Sequence, residues 1–276
     1  MASSEAMQKL LTYTCHQYGD HDLQRVGIWR RATPQNHGRW VIFIHGGAWR
    51  DPRNTLENFI PSIQQIVSSP DEIQSQVCGF ASIDYRLSPT SRSHPDHVLD
   101  VRAALKFLLA QIQLTDNYVL IGHSAGATLA YQVVMGEAAL SGQPVPDEIP
   151  LPAAIVGVSG IYELVGLKSR HSHIEAYSSF ISGAFGSEGS NWVKASPASY
   201  EGNLRHGWSG YSLLAYSPED SLIDNPEIDS MATKLSLDGL EFDVVKDLKG
   251  DHNLVWQEGS QIARLVAQVL RHIRDD

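Results

Sequence analysis

Cysteine is nearly missing from this sequence. Only Cys15 and Cys78 occur among 276 residues, and they share no metal-ligand spacing. A disulfide-built scaffold and a cysteine metal centre are excluded, and two reduced thiols in a cytoplasmic protein are expected. Basic residues are also few. Lys and Arg number 21 against 31 Asp and Glu, a formal charge of −10, and no Lys/Arg block stands out. A nucleic-acid or anionic-membrane partner is therefore not expected. No apolar run is long enough to span a bilayer. The opening MASSEAMQKLLTYTCHQYGDHD has no basic region followed by an apolar stretch, so no secretory signal is expected. Internal repeats and low-complexity tracts are missing too.

What is present is ordinary globular composition, 42% hydrophobic and 19% charged. The length suits one large α/β domain or two small ones, and the order of elements favours one domain over 1–276. Segments 12–18 and 21–31 read as a hairpin joined at Gly19-Asp20. RWVIFIHGG (39–47) reads as a strand apolar on both faces, as a central parallel strand must be. Helical spacing marks 54–69 and, more strongly, 96–112, where Val98, Val101, Ala104, Leu105, Leu108 and Leu109 form one stripe behind Pro95-Asp96. Further strands are expected at 77–89, 153–164, 211–217 and 241–248, and further helices at 226–237 and 259–273. The stretch 165–210 has weak periodicity but carries Tyr177, Phe180, Phe185, Trp192 and Tyr200, which need burial. It reads as a cap-like insertion. Alternating strands and helices imply a mostly parallel central sheet with helices on both faces.

Three places carry chemistry. GHSAG (122–126) lies between the apolar strand YVLI and a helix beginning ATLAYQVV. A strand–corner–helix setting is what a nucleophile elbow requires: Gly122 and Gly126 let strand and helix approach, and Ser124 is pushed out at the sheet edge. A serine needs a base, and the base an orienting carboxylate. His252, in LKGDHNLV, follows the last strand and precedes the last helix, whereas His272 reads as a solvated helix-end residue. The acid belongs just after SLLAYS, where Glu219, Asp220 and Asp224 all qualify; Asp220 is preferred and Asp224 held in reserve. Asp251, beside His252, reads as a loop residue. Finally, HGGAW (45–49) ends the strand VIFI. Its glycines allow unusual backbone geometry, so the amides of Gly47 and Ala48, with that of Ala125 after the serine, are candidate donors to an oxyanion. His45 and Trp49 then brace the loop around Gly46 and Gly47.

HGGAW, SIDYRLSP, GHSAGA, SGIYEL and GDHN together resemble the α/β-hydrolase fold, over about residues 40–255. More narrowly, they are similar to the kynurenine formamidases with an HGGxW oxyanion motif. The related hormone-sensitive-lipase-type esterases usually read HGGG and GDSAGG, and the departure at Ala48-Trp49 favours the formamidases. The resemblance implies hydrolysis of N-formyl-L-kynurenine to L-kynurenine and formate in tryptophan breakdown. It implies a Ser124–His252–Asp220 mechanism, no cofactor, no metal and a homodimer. A carboxylesterase acting on small esters is the alternative on the same machinery. For the amino-acid end of such a substrate the sequence offers Arg170, His171 and His173 as guesses.

Overall fold

The computed structural model describes residues 7–33, 38–89, 93–140, 142, 144 and 148–273. Eight strands form one sheet: β1 (Leu11–Gln17), β2 (Arg25–Arg31), β3 (Arg39–Ile44), β4 (Val77–Ile83), β5 (Tyr118–His123), β6 (Ala154–Val158), β7 (Tyr211–Ala215) and β8 (Phe242–Val245). Their order is β1-β2-β4-β3-β5-β6-β7-β8. β2 runs antiparallel to both β1 and β4, and every pairing from β4 through β3 to β8 is parallel.

The central strands are buried on both faces. Ile42, Ile44 and Leu120 join one apolar cluster, while Val41, Phe43, Val119 and Ile121 join the other. The helices supply the two outer layers. On the second face lie α1 (Ile60–Ile66) and α10 (Ser260–His272), preceded by the short α9 (Leu254–Glu258); α2 (Asp71–Gln74) leads into β4. On the first face lie α3 (Asp96–Ile112), α4 (Ala125–Met135) and α8 (Asn225–Asp238). α3 matches the expected span, with Asp96 in its first turn and Gln113 ending it in a left-handed conformation, φ 53°. Among the described residues no helix is long and apolar enough to cross a membrane.

Several boundaries differ from the sequence reading. The strand expected over 39–47 stops at Ile44, because Gly47, Ala48 and Trp49 have φ of 94°, 49° and 57°, which no strand accommodates. The strand expected over 77–89 stops at Ile83; the Asp84 amide still donates to the Arg25 carbonyl at 3.0 Å, while the Asp84 carboxylate and the Tyr85 hydroxyl turn to the neighbouring loops. The weakly periodic stretch 165–210 is largely helical: α5 (Leu164–Arg170), α6 (Glu175–Phe185) and α7 (Gly189–Ala195), followed by short 3-10 turns. Its aromatics Tyr177, Phe180, Phe185 and Trp192 are buried as expected, whereas Tyr200 is partly exposed. His272 is not simply solvated: its ring stacks on Tyr211 at 3.9 Å and its Nε2 lies 3.0 Å from Glu241. Cys15 and Cys78 are both free.

One packing constraint positions everything at the carboxyl ends of the strands. α4 starts directly from β5 and crosses against the end of β3. A Cβ on Gly126 would stand 2.2 Å from the Ile44 carbonyl oxygen and 2.7 Å from that of His45. A Cβ on Gly122 would stand 2.3 Å from the Gly126 oxygen and 2.4 Å from the Ala127 nitrogen. Backbone cannot yield as a flexible side chain does. Gly126→Ala is therefore expected to lower stability by about 3 kcal/mol, read as a drop in thermal midpoint, whereas Gly183→Ala, on the open side of α6 with nothing near its Cβ position, shifts it little.

Candidate active site

The elbow is built by backbone geometry. Ser124 has φ 53° and ψ −120°, a conformation that L-residues adopt only where surroundings over-determine it. The surroundings here are the two glycine contacts just described and the Ser124 amide, which donates to the Val158 carbonyl at 2.9 Å. The next residue, Ala125, is the first of α4, and the opening amides of a helix have no partner within it.

Gly46 and Gly47 are needed for different reasons. Gly46 is required for space: a Cβ there would lie 2.9 Å from His123 Nδ1 and 3.0 Å from Ser124 Cβ. Gly47 is required for its positive φ. The Gly46 carbonyl accepts from the Tyr85 hydroxyl at 3.1 Å and faces His45 Nδ1 at 2.9 Å. A trans peptide points its N–H opposite to its C=O, so the Gly47 amide is directed away from this cluster. The Gly47 carbonyl accepts from the amides of Arg50 and Asp51, each at 2.9 Å, which aims the Ala48 amide the other way by the same rule. Both residues line a cavity of about 320 Å³ that also exposes Ser124 and His252.

The loop is anchored from below and from the side. Beneath it, the buried Asp84 carboxylate accepts from the Leu56 amide and from Arg25 Nε at 2.6 Å, and His45 Nε2 stands 3.4 Å from it. The His45 ring stacks on Tyr85 at 4.5 Å. At the side, Trp49 is fully buried, with its ring edge-on to Phe185 at 4.9 Å and tilted to Phe180 at 6.2 Å. Its carbonyl accepts from the Ser88 amide at 2.7 Å. Both expected braces, His45 and Trp49, are thus in contact with the frame.

Asp220 and His252 meet. His252 Nδ1 lies 2.9 and 3.1 Å from the two Asp220 carboxylate oxygens. Asp220 Oδ1 also accepts from the amides of Leu222 and Ile223, each at 2.9 Å. Burial pushes the Asp220 carboxyl up, but the hydrogen bond and charge of His252 together with those two amides outweigh it, and its pKa falls below the ordinary carboxylate value. With Nδ1–H given to Asp220, Nε2 is left as the acceptor that a base requires. Ser124 shares the cavity with His252, but its Oγ makes no direct hydrogen bond to the imidazole, and such bonds often tighten only when substrate binds. The reserve acid, Asp224, is occupied elsewhere. It holds Arg170 at 2.7 and 3.0 Å and lies 3.3 Å from His171. Glu219 accepts from the Gly250 amide at 3.1 Å.

Two braces of the His252 loop were not read from the sequence. Asp251 ties it to the acid's loop: its Oδ1 accepts from the Ser221 amide and hydroxyl at 2.9 and 2.7 Å and from the His252 amide at 2.7 Å. Hydrogen bonds from Ser221, then from the His252 amide, hold its carboxyl down to about 2. His123, the second residue of the elbow, donates from Nε2 to the His252 carbonyl at 3.0 Å, across 129 residues. Burial pushes its pKa down to about 3, with His252 adding to the effect. A histidine beside a candidate nucleophile was visible in GHSAG, yet nothing in the sequence paired it with a distant carbonyl.

The guesses for a substrate's amino-acid end need correction. Arg170 is committed to Asp224 and Glu227. His171 stacks on Tyr177 at 4.3 Å, and neither it nor His173 lines the cavity.

The parallel sheet, the elbow at its carboxyl edge and the His252–Asp220 pair beyond β8 and β7 define an α/β-hydrolase. Esterase B from Lactobacillus rhamnosis has the same fold, with a TM-score of 0.75 at 15% identity over 99% of this chain and 93% of that one. An esterase/lipase from an uncultured bacterium gives 0.67 at 18% identity, covering 98% and 89%. Residues 27–203 match the BD-FAE family model. A kynurenine formamidase-like hydrolase of Fusarium equiseti is 33% identical, covering 91% of each chain. The kynurenine formamidase of Meyerozyma guilliermondii is also 33% identical, covering 92% of each, and that of Saccharomyces cerevisiae is 30% identical over 82% of this chain and 86% of its own. The chain belongs to the kynurenine formamidase family.

Burial also sets an acid limit. The pKa of His94 falls to about 4 and those of His97 and His123 to about 3, each chiefly through burial. Unfolding frees each to take a proton near pH 6.5. Their neutral forms leave stability intact above pH 6.5, and it is lost progressively as the pH falls from 6.5 toward the folded values. Each buried histidine costs about 1.4 kcal/mol per pH unit in that window. The thermal midpoint is expected to fall steeply between pH 6.5 and 4, and His123→Asn should flatten that slope. An unchanged slope in the variant would remove His123 from the account.

Proposed function

We propose that the protein hydrolyses N-formyl-L-kynurenine to L-kynurenine and formate through a formyl-serine intermediate. The observation that carries this reading is the His252–Asp220 pair opening into the same cavity as Ser124, Gly47 and Ala48. Support comes from the family, whose relatives are named kynurenine formamidases, and from the cavity wall, where Tyr177 and Phe180 offer aromatic faces beside Ile161 and Ile223.

The chemistry proceeds by nucleophilic acyl transfer. Ser124 Oγ attacks the formyl carbon while His252 Nε2 takes its proton. Asp220 steadies the resulting imidazolium. The carbonyl oxygen, now an anion, is met by the amides of Gly47, Ala48 and Ala125. The C–N bond then breaks, and His252 returns the proton to the departing arylamine nitrogen. Water, activated by the same imidazole, releases formate and restores Ser124. Stretch 165–210 acts as a cap within a single 1–276 domain, its α6 closing one side of the cavity through Ala176, Tyr177 and Phe180.

Steady-state turnover of N-formylkynurenine, followed by kynurenine absorbance, is expected to exceed that of short p-nitrophenyl esters in kcat/KM. Strong preference for the esters would replace this reading with a carboxylesterase. Ser124→Ala should abolish labelling by a fluorophosphonate probe, and labelling that persists would place the nucleophile elsewhere. Asp220→Asn, which keeps shape but loses the charge and favours the wrong imidazole tautomer, is expected to lower kcat by about 10⁴-fold. Asp224→Asn should fall far short of that loss, since Asp224 faces Arg170 and His171.

A further inference from the structure

The proposed substrate has two ends. The triad and the loop amides deal with the formamide. The other end is a zwitterionic amino acid, and the reaction does not require it. A cavity that selects this substrate over a simple formanilide needs a cation for the α-carboxylate.

Four charged or titratable side chains line the cavity: Arg50, Asp51, Tyr177 and His252, and the Tyr177 hydroxyl donates to the Leu222 carbonyl at 2.6 Å. His252 is bonded to Asp220. Asp51 is gripped by Arg53 through contacts of 2.8 to 3.2 Å. Arg50 differs. Its Nη1 donates to the neutral Ser179 hydroxyl at 3.0 Å, and its guanidinium lies 5.9 Å from the centre of the Phe180 ring. Among the described residues no carboxylate stands within ion-pair distance of it, whereas Arg25, Arg53, Arg86, Arg170 and Arg264 each have one. Other arginines outside ion pairs, Arg30, Arg31, Arg39 and Arg205, hold backbone carbonyls, whereas Arg50 lines the cavity that exposes Ser124 and His252, with the neighbouring Asp51 as the carboxylate that feels its charge. The Arg50 backbone is held in place. Arg50 follows the buried Trp49, and its amide donates to the Gly47 carbonyl at 2.9 Å. The guanidinium therefore extends from the same rigid loop that presents the Gly47 and Ala48 amides.

We propose that Arg50 binds the α-carboxylate of the substrate's amino-acid end and so sets the preference of this site for amino-acid formanilides over uncharged ones. Its planar fork suits a carboxylate bidentately, while Ser179 and Phe180 hold the fork in place. The assignment rests on the formamidase reading above.

The test uses the full chain and two substrates, N-formylkynurenine and formanilide, which shares the aryl formamide but has no charge. The quantity is the ratio of their kcat/KM values, taken within each variant so that differences in folded fraction cancel. Arg50→Gln is expected to lower that ratio by about 10- to 100-fold, the worth of a charge-assisted hydrogen bond, mostly through KM for N-formylkynurenine. Arg50→Lys should recover part of it, having the charge without the fork. The decarboxylated analogue of N-formylkynurenine should lose little between wild type and Arg50→Gln. A ratio within about 2-fold of wild type in Arg50→Gln overturns the assignment of Arg50 and leaves the formamidase reading standing. A wild-type protein that hydrolyses formanilide but not N-formylkynurenine overturns both.

Discussion

The contact between Gly126 and the Ile44 carbonyl is the constraint on which the site depends. Two parallel strands, β3 and β5, lie side by side, and each ends in a segment that must turn sharply without colliding with the other. The absence of a side chain at 126 lets α4 press against the end of β3. This closeness puts Gly46 against Ser124 Cβ, so that the HGGAW loop and Ser124 border one cavity. One helix-to-strand distance thus decides whether the amides proposed to hold an oxyanion, from two segments far apart in the sequence, can serve one oxygen atom. The elbow's backbone strain at Ser124 is the local expression of the same packing.

A site of this kind gains from rigidity only if its supports are rigid too. Here the supports are polar and buried below the loop, apolar at its side. Asp84 collects the Leu56 amide, Arg25 and the edge of His45, so that a buried carboxylate is well compensated and at the same time fixes where the loop leaves the sheet. Tyr85 secures the carbonyls of His45 and Gly46. Trp49 carries the loop's position outward to α6 through Phe180 and Phe185. Trp49, which follows the Ala48 that stands where HGGG has its third glycine, is therefore the residue joining the proposed oxyanion loop to the segment that walls the cavity.

Much of this was legible in the sequence, and the parts that were not share a cause. The elbow, the loop, the candidate base and the preferred acid candidate announce themselves locally, through glycines at fixed offsets and a histidine after the last strand. The frame beneath them does not. Asp84 and Tyr85 follow an apolar run in SIDYRLSP and read as more strand, since their partners Arg25, His45 and Leu56 lie tens of residues away. His123 reads as filler for the same reason. Two of the helices of 165–210 escaped because α5 and α7 have only 7 residues each, about two turns, too few for a 3.6-residue period to emerge. Arg170 was a fair guess by position, but only the fold shows Asp224 and Glu227 beside it.

The hydrogen bond from His123 to the His252 carbonyl joins the middle of the chain to its last quarter. During synthesis the order of events follows from that span. The elbow, its glycines and the HGGAW loop leave the ribosome well before the loop that carries the His252 imidazole, so a nascent chain holds the proposed nucleophile without its proposed base. The link from His123 can close only when 129 further residues are out, and β6, β7 and β8 lie between the two in the chain. The proposed triad is thus complete only once β8, the last strand of the described residues, has been synthesised.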